Sequence, residues 1–373
     1  MITVEALPAR EGDCFWVEWD DGPVRRRLLI DGGTRAAGRE SLARRLERQP
    51  VPEREFELVV GTHIDDDHIG GLVELLAAPP EGFWTHDFWF NGHHHLQPPD
   101  RLGPALAHRL TELLTSTGTP WNRRFGGAPV VVPEGPGAEL PSRDLGGLRL
   151  TLLSPTWEEL RKLREEWDRR LAARAVPAQP PPADLLGGPR RGPAVPWRRL
   201  AAAYTRDRSA FNGSSIALLA EHAADGTRVL FAADAHAEVL TASLARLPDR
   251  TVDLCTVPHH GSPYNVSDAL LDGLGCEQWL LSTDGGRPVG RTEAPYRPGE
   301  GRHPSLRAMA RLILASSRPT FWFNHRVPST ARYADPRLAL RLGYRAVYPR
   351  PGEHGIALVV GPGGTVTRAP VPV

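Results

Sequence analysis

Residues 61–71 read Gly61-Thr62-His63-Ile64-Asp65-Asp66-Asp67-His68-Ile69-Gly70-Gly71, and the reading of this stretch decides the fold. The five residues before it, Phe56-Glu57-Leu58-Val59-Val60, are mostly apolar and end at a turn signal, which predicts a buried strand. Gly71 to Ala78 have helical spacing and stop at Pro79-Pro80. Two histidines and three aspartates are therefore expected in a strand-to-helix loop, at the carboxyl end of a strand. Open α/β sheets place their chemistry at such edges.

His63, Asp65 and Asp67 alternate, so an extended loop aims all three the same way, and His68 adds a neighbouring imidazole. Mixed imidazole and carboxylate ligands suit zinc, manganese or iron, and the lack of nearby cysteine argues against a closed structural zinc site. The competing reading is a solvated acidic turn in which Asp66 or Asp67 caps the following helix. The flanking histidines, and a Gly-Gly pair that permits close backbone approach, favour the metal.

This stretch resembles the metallo-β-lactamase superfamily, whose loop reads His-x-His-x-Asp-His. Asp65 stands in place of the second histidine. That variant, followed by Ile69-Gly70-Gly71, is similar to the branch related to the hydrolase domain of the ComEC DNA-uptake proteins. The resemblance implies an α/β fold built as a four-layer αββα sandwich with mixed sheets.

Other segments carry the resemblance further. Residues 2–7 and 14–19 alternate like strands around a turn at Arg10-Glu11-Gly12-Asp13, and Arg27 to Ile30 runs into Asp31-Gly32-Gly33. Gly12-Asp13-Cys14 and Ile30-Asp31-Gly32-Gly33 resemble the superfamily's opening. Asp31 is either a partner that orients a ligand histidine or a plain Asp-Gly turn. Residues 39–48 suggest an amphipathic helix. The apolar run Phe88-Trp89-Phe90 ends in Asn91-Gly92 and three histidines, of which His93 is a candidate substrate contact. A helix over 104–115 and a strand over 148–153 follow. Trp157 to Ala175 reads as a long charged helix, and the Pro- and Gly-rich run 176–193 cannot build a core. The chain thus reads as one domain over residues 1–373 with an insertion at about 157–200.

The second half supplies the remaining candidates. Asn212-Gly213-Ser214-Ser215 opens a strand, a turn at Asp225-Gly226 follows, and a second strand ends in Asp234-Ala235-His236. The resemblance makes Asp234 a ligand that bridges two metals, with His236 a weaker candidate. Asn212 stands where other members carry a histidine, and so either contacts substrate or braces its loop. Pro258-His259-His260-Gly261-Ser262 resembles the His-His-Gly-Ser signature of the ComEC-like branch, in which one histidine binds the second metal and the small residues accept an anion. The pattern gives His259 the ligand role and turns His260 and Ser262 toward substrate; sequence alone admits the reverse order of the histidines. Thr256 replaces a lysine usual in the branch. His303-Pro304-Ser305, before a helix over 306–316, resembles the branch's tail, where the histidine approaches the cleft.

The implied site holds one divalent ion on His63, Asp65 and Asp234, and a second on Asp67, His68, Asp234 and His259. Zinc is favoured, and the oxygen-rich first set admits manganese. Two such ions about 3.5–4 Å apart share a hydroxide and stabilise both oxygens of a displacement. Asp67 alternatively accepts a proton from water, and His260 is the candidate acid or phosphate contact. Hydrolysis follows, with a phosphodiester in nucleic acid or a nucleotide as the preferred substrate. Hydrolysis of a carboxylic ester, thioester or lactam is the alternative enzyme reading, and a catalytically inactive, metal-stabilised binding subunit is the alternative of another class.

Composition sets the outer bounds. The 373 residues carry a formal net charge of +1, so no global basic field draws in nucleic acid. Three widely spaced cysteines fit a reducing compartment. The amino terminus lacks a basic region followed by an apolar core, and no window approaches 18 uninterrupted apolar residues, so a cytoplasmic protein without a membrane partner is expected.

Overall fold

The computed structural model describes residues 1–96, 105–135, 137–172, 196–285 and 303–370. In chain order the strands are β1 (Ile2–Ala6), β2 (Phe15–Asp21), β3 (Val24–Ile30), β4 (Glu55–Phe56), β5 (Leu58–Val60), β6 (Trp84–Thr85), β7 (Phe88–Trp89), β8 (Ser142–Asp144) and β9 (Leu148–Ser154). They continue with β10 (Ala217–His222), β11 (Arg228–Phe231), β12 (Leu254–Thr256), β13 (Gln278–Leu281), β14 (Thr320–Phe323), β15 (Arg345–Val347), β16 (Ile356–Gly361) and β17 (Thr365–Arg368). One sheet runs β17-β16-β1-β2-β3-β5-β7, and the other runs β15-β14-β13-β12-β11-β10-β9-β8. Each is mixed: β3, β5 and β7 are parallel to one another, as are β11 through β15, while the remaining neighbours are antiparallel.

Strand alternation sends one set of side chains from each sheet into a shared core. Val4, Val17, Leu28 and Val60 of the first sheet meet Leu152, Leu218, Phe231 and Leu254 of the second. The opposite face of the first sheet, with Trp16, Leu29 and Val59, packs on the helices Asp66–Ala77, Ala105–Ser116 and Trp157–Ala172. The opposite face of the second, with Leu230, Trp279 and Phe321, packs on Ala237–Leu244 and Leu306–Ala315. Three apolar seams between four layers make this the αββα sandwich.

Several boundaries differ from the sequence reading for identifiable reasons. The run Phe56–Val60 is two strands, because Phe56 pairs in a small β4–β6 ribbon while Leu58–Val60 joins the main sheet. The helix expected from Gly71 begins at Asp66, so Asp67 and His68 lie in its first turn rather than in a loop, and Asp65 is its cap. Two aspartates and two glycines are poor helix formers and mask that start, while Ile69, Leu72 and Val73 continue the buried stripe. The helix Trp157–Ala172 buries Leu160, Leu163 and Trp167 in the outer layer. The whole of the Pro/Gly-rich run 176–193 and the loop 287–302 lie outside the described residues. Among the described residues no helix is long and apolar enough to cross a membrane.

Candidate metal centre

Two backbone contacts prepare the site. Gly32 N–H donates to His68 O (2.8 Å) and Gly71 N–H to Gly33 O (2.9 Å), locking the loop after β3 onto the first turns of the Asp66–Ala77 helix. A Cβ on Gly71 would lie 2.0 Å from the Gly32 carbonyl oxygen, so the Gly-Gly pair is needed for this approach. The lock brings Asp31 beneath His68. The fully buried Asp31 carboxylate accepts from Thr62 N–H (2.8 Å) and Thr62 Oγ1 (2.7 Å), and it lies 2.8 Å from His68 Nδ1. Thr62 Oγ1, donating to Asp31, accepts from His63 Nδ1 at 3.0 Å. Both rings therefore hold their proton on Nδ1 and turn Nε2 inward, as ligand histidines do.

The second sheet supplies the other half. Asp234 follows β11, and His259 and His260 follow β12. Both histidines are left-handed, at φ 47° and 52°, where few non-glycine residues sit. This turn aims adjacent imidazoles at the two oxygens of one carboxylate. His259 Nε2 lies 3.5 Å from Asp234 Oδ2, and His260 Nε2 lies 3.6 Å from Oδ1. His63 Nε2 is 3.8 Å from Oδ2 and His68 Nε2 is 3.5 Å from Oδ1. Asp65 Oδ2 lies 3.6 Å from His63 Nε2, and Asp67 Oδ2 lies 3.9 Å from the Nε2 atoms of both His68 and His260.

Two donor sets thus divide across Asp234: His63, Asp65 and His259 on one side, Asp67, His68 and His260 on the other. The separations exceed hydrogen-bond length. They approach the roughly 3.3 Å edge expected between ligand atoms that sit about 2.0–2.1 Å from a tetrahedral ion. His63 Nε2 and Asp234 Oδ1 are buried without a hydrogen-bond partner. An orphaned nitrogen in one set and an orphaned oxygen at the other, each buried among such gaps, fit bound cations.

Charge supports the fit. Burial pushes Asp234 toward its neutral form, but His259, His68 and His260 outweigh it and hold the carboxyl well below its usual range. Burial disfavours a charged His68, yet Asp234, Asp31 and Asp67 drive its pKa well above the ordinary value. His259 is pushed up to about 9 against burial, chiefly by Asp234 and then Asp207. Carboxylates that favour the protonated forms of His68, His259 and His260 are those that a divalent cation would satisfy.

Three groups complete the surroundings without having been singled out in the sequence. Asp13 Oδ1 lies 3.4 Å from His260 Nδ1, whose 2.9 Å partner is the Ser282 carbonyl, and Asp13 shares with His68, Asp234 and His260 a grouping able to hold an ion. Only the Gly-Asp-Cys likeness pointed to it. Asp207 Oδ2 accepts from Asn212 Nδ2 (2.7 Å) and Asn265 Nδ2 (3.0 Å), and Asn265 Oδ1 lies 2.9 Å from His259 Nδ1. No motif marks Asp207 or Asn265.

The other expected residues divide. Asn212 braces its loop, between Asp207 and His259 Nδ1 (3.2 Å). The His303 ring lies 5.2 Å from that of His259, centre to centre, and burial first, then His259 and His260, push its pKa down to about 3. Ser262 is buried and its Oγ accepts from Tyr264 N–H. His93 packs against Trp167 of the outer helix, with ring centres 5.1 Å apart. His236 turns away from the cluster, toward Ser209 O (2.9 Å) and Glu159 (3.3 Å).

A four-layer sandwich with a histidine–aspartate cluster between its sheet edges defines a metallo-β-lactamase type of fold. Residues 7–158 match the family model described as the Metallo-beta-lactamase superfamily, a span that takes in Asp13, Asp31 and the His63–His68 stretch. Comparison of the sequence with curated proteins returns no match. Among solved structures, the chain is similar to a diphosphatase from the PhnP family (11% identity, 96% of this chain and 98% of that one, TM-score 0.39). It is also similar to unliganded yeast PDE1 (10% identity, 94% and 97% covered, TM-score 0.41). A third similarity is to MEM-A1, a subclass B3 metallo-beta-lactamase isolated from a soil metagenome library (14% identity, 75% and 78% covered, TM-score 0.29).

Proposed function

We propose that the whole chain is one hydrolase domain of the metallo-β-lactamase type, ComEC-like in its ligand pattern, with an insertion at about 157–200. It uses two divalent cations to hydrolyse a phosphodiester. The observation that carries this reading is the division of four histidines across the two oxygens of Asp234, with Asp65 beside one pair and Asp67 beside the other. The first ion would be held by His63, Asp65, Asp234 and His259, and the second by Asp67, His68, Asp234 and His260. His259 thereby moves to the first ion. His260 becomes a ligand instead of an acid, because its Nε2 faces the cluster interior, 3.2 Å from His68 Nε2. Zinc is favoured, and the carboxylates admit manganese.

A pair of divalent cations supplies a nucleophile from water near neutral pH and positive charge for the entering and leaving oxygens. The chain's own groups arrange the rest. Asp65 and Asp67 are the open carboxylates, with 34% and 30% of the side chain exposed. Of the two, Asp67 reaches both histidines of the second set and is placed to take a proton from an attacking water. His303, neutral and with Nδ1 buried unpartnered, is a substrate contact at the rim of His259. The phosphodiester, as part of nucleic acid or a nucleotide, rests on the His-x-Asp-x-Asp-His and His-His-Gly-Ser patterns. Three buried free cysteines agree with a cytoplasmic setting.

The test is metal content of protein purified without chelator, with turnover of bis-p-nitrophenyl phosphate under added zinc or manganese. About two ions per chain are expected, with turnover abolished in Asp234→Ala. Two ions without phosphodiester turnover would transfer the proposal to esters, and absence of bound metal would refute the hydrolase.

A further inference from the structure

We propose that Asn265, held in place by Asp207, is a positioning residue that keeps a proton on Nδ1 of His259 and sets the spacing between His259 and Asp234. Its importance for metal rests on the reading above; the state of His259 does not.

Asn265 is fully buried between the His259 turn and the end of β11. Its Nδ2 donates to Asp207 Oδ2 (3.0 Å), to Asp234 O (3.0 Å) and to Ala235 O (3.3 Å). Three acceptors around the nitrogen fix the amide's orientation, since a flipped amide would set oxygen against three oxygens. Oδ1 must then point at His259 Nδ1, 2.9 Å away. An amide oxygen only accepts, so Nδ1 must donate, whether the ring is neutral or charged. Nε2 is left as the nitrogen that faces Asp234 Oδ2.

Asp207 acts through this amide. Its carboxylate is 3.7 Å from His259 Nδ1, beyond hydrogen-bond reach. It accepts from Nδ2 of both Asn265 and Asn212 instead, at 3.0 and 2.7 Å, while Asn212 Nδ2 stands farther from His259 Nδ1 (3.2 Å) than Asn265 Oδ1 does (2.9 Å). Asp207 is itself pinned, with Oδ1 accepting from Ser209 N–H (2.8 Å) and its own N–H donating to Tyr264 O (3.1 Å). One side chain thus touches the ring of His259 and the backbone of Asp234. Those are two of the groups that converge on the same donor set.

The experiment compares Asn265→Ala, Asp207→Ala and Asp207→Asn with the unaltered chain. Proton–nitrogen NMR of metal-free protein reads the His259 Nδ1–H, and competition with a chromophoric chelator reads zinc affinity. The unaltered chain should show an Nδ1–H protected from solvent exchange. Asn265→Ala should lose that protection and bind zinc about 10–100-fold more weakly, the usual cost of removing a partner behind a ligand histidine. Asp207→Ala should approach the same loss. Asp207→Asn keeps the size and one acceptor oxygen, and should fall between the unaltered chain and Asp207→Ala. A folded Asn265→Ala protein with an unchanged Nδ1–H overturns the proposal. If that variant does not fold, Asp207→Ala, at a side chain less deeply buried than Asn265, decides by the same signal. A protein that shows the Nδ1–H dependence and binds no zinc upholds the positioning role while refuting the metal reading.

Discussion

Asp31→Asn is the sharpest test of how the first half of the site works. Asp31 receives three groups, Thr62 N–H, Thr62 Oγ1 and His68 Nδ1, all within 2.8 Å. Alanine there would strand three buried donors at about 1–3 kcal/mol each. That is a large share of the roughly 5–15 kcal/mol that holds a domain folded. Asparagine confines the change to the Oδ2 side, where Thr62 Oγ1 and His68 Nδ1 both lie. Its backbone suits the left-handed φ of 58°. Its oxygen keeps the Thr62 N–H bond, which places the NH2 group where Oδ2 faced His68. That NH2 meets Nδ1–H donor to donor. His68 must then move its proton to Nε2, the nitrogen aimed at Asp234 Oδ1, or forgo its partner. A hydrogen bond to a charged group is worth about 1.5–3 kcal/mol. The expected loss in zinc affinity is therefore roughly 10–150-fold, at about 1.4 kcal/mol per decade. Chelator competition at neutral pH measures it, and urea unfolding of metal-free protein checks that the fold survives. Zinc binding by Asp31→Asn within about threefold of the unaltered chain would refute the claim that Asp31 sets the His68 proton.

Two further outcomes test the fold around the site. Gly71→Ala places a methyl 2.0 Å from the Gly32 carbonyl, where backbone must yield, and should cost about 1–3 kcal/mol or more by overpacking. It should also weaken zinc binding as Asp31 withdraws, and an unchanged Tm would rule the lock out. His95 tests pH dependence away from the cluster. Its Nδ1 accepts Gly92 N–H, and burial first, then His94, push its pKa down to about 3. Between pH 6.5 and 3 the unfolded chain therefore binds a proton that the folded chain refuses, so this contribution is full above 6.5 and fades as pH falls. From pH 7 to 5.5 the unaltered protein should lose about 1 kcal/mol more stability than His95→Gln. Equal losses in parallel urea titrations would contradict the assignment.

The Asp-rich loop, Asp234 and the two histidines were legible because each follows an apolar strand, and strand ends share one edge of an α/β sheet. The supporting groups were not, because their roles depend on contacts made across long stretches of chain. Asn265 lies 31 residues from the Asp234 carbonyl it binds, and Asp207 lies 58 residues from Asn265. A polar residue in a loop is ordinary in sequence, and only its burial against an imidazole makes it informative. His93, a candidate substrate contact in sequence, shows the same dependence on distant chain: Trp167, from a helix more than seventy residues on, offers it an aromatic partner. The helix start at Asp66 was obscured because its aspartates, and the glycines that permit close approach, carry weak helical signal.

The two adjacent histidines show why sequence order could not assign their roles. In an extended strand neighbours point to opposite faces, so one of the pair would face away from the cluster. Here His259, His260 and Gly261 are successively left-handed, at φ 47°, 52° and 82°. Such positions cost on the order of 1–3 kcal/mol for a non-glycine residue and persist only where the surroundings over-determine them. Those surroundings are identifiable. His259 N–H donates to Ala233 O (2.9 Å), Ser262 N–H to His259 O (2.7 Å), and the Ser282 carbonyl lies 2.9 Å from His260 Nδ1. Three separate strand ends thus hold one turn. The strain places both imidazoles on Asp234, one against each oxygen, which a relaxed backbone would not do. The two histidines, to which the motif gives different roles, stand at equivalent positions around one carboxylate.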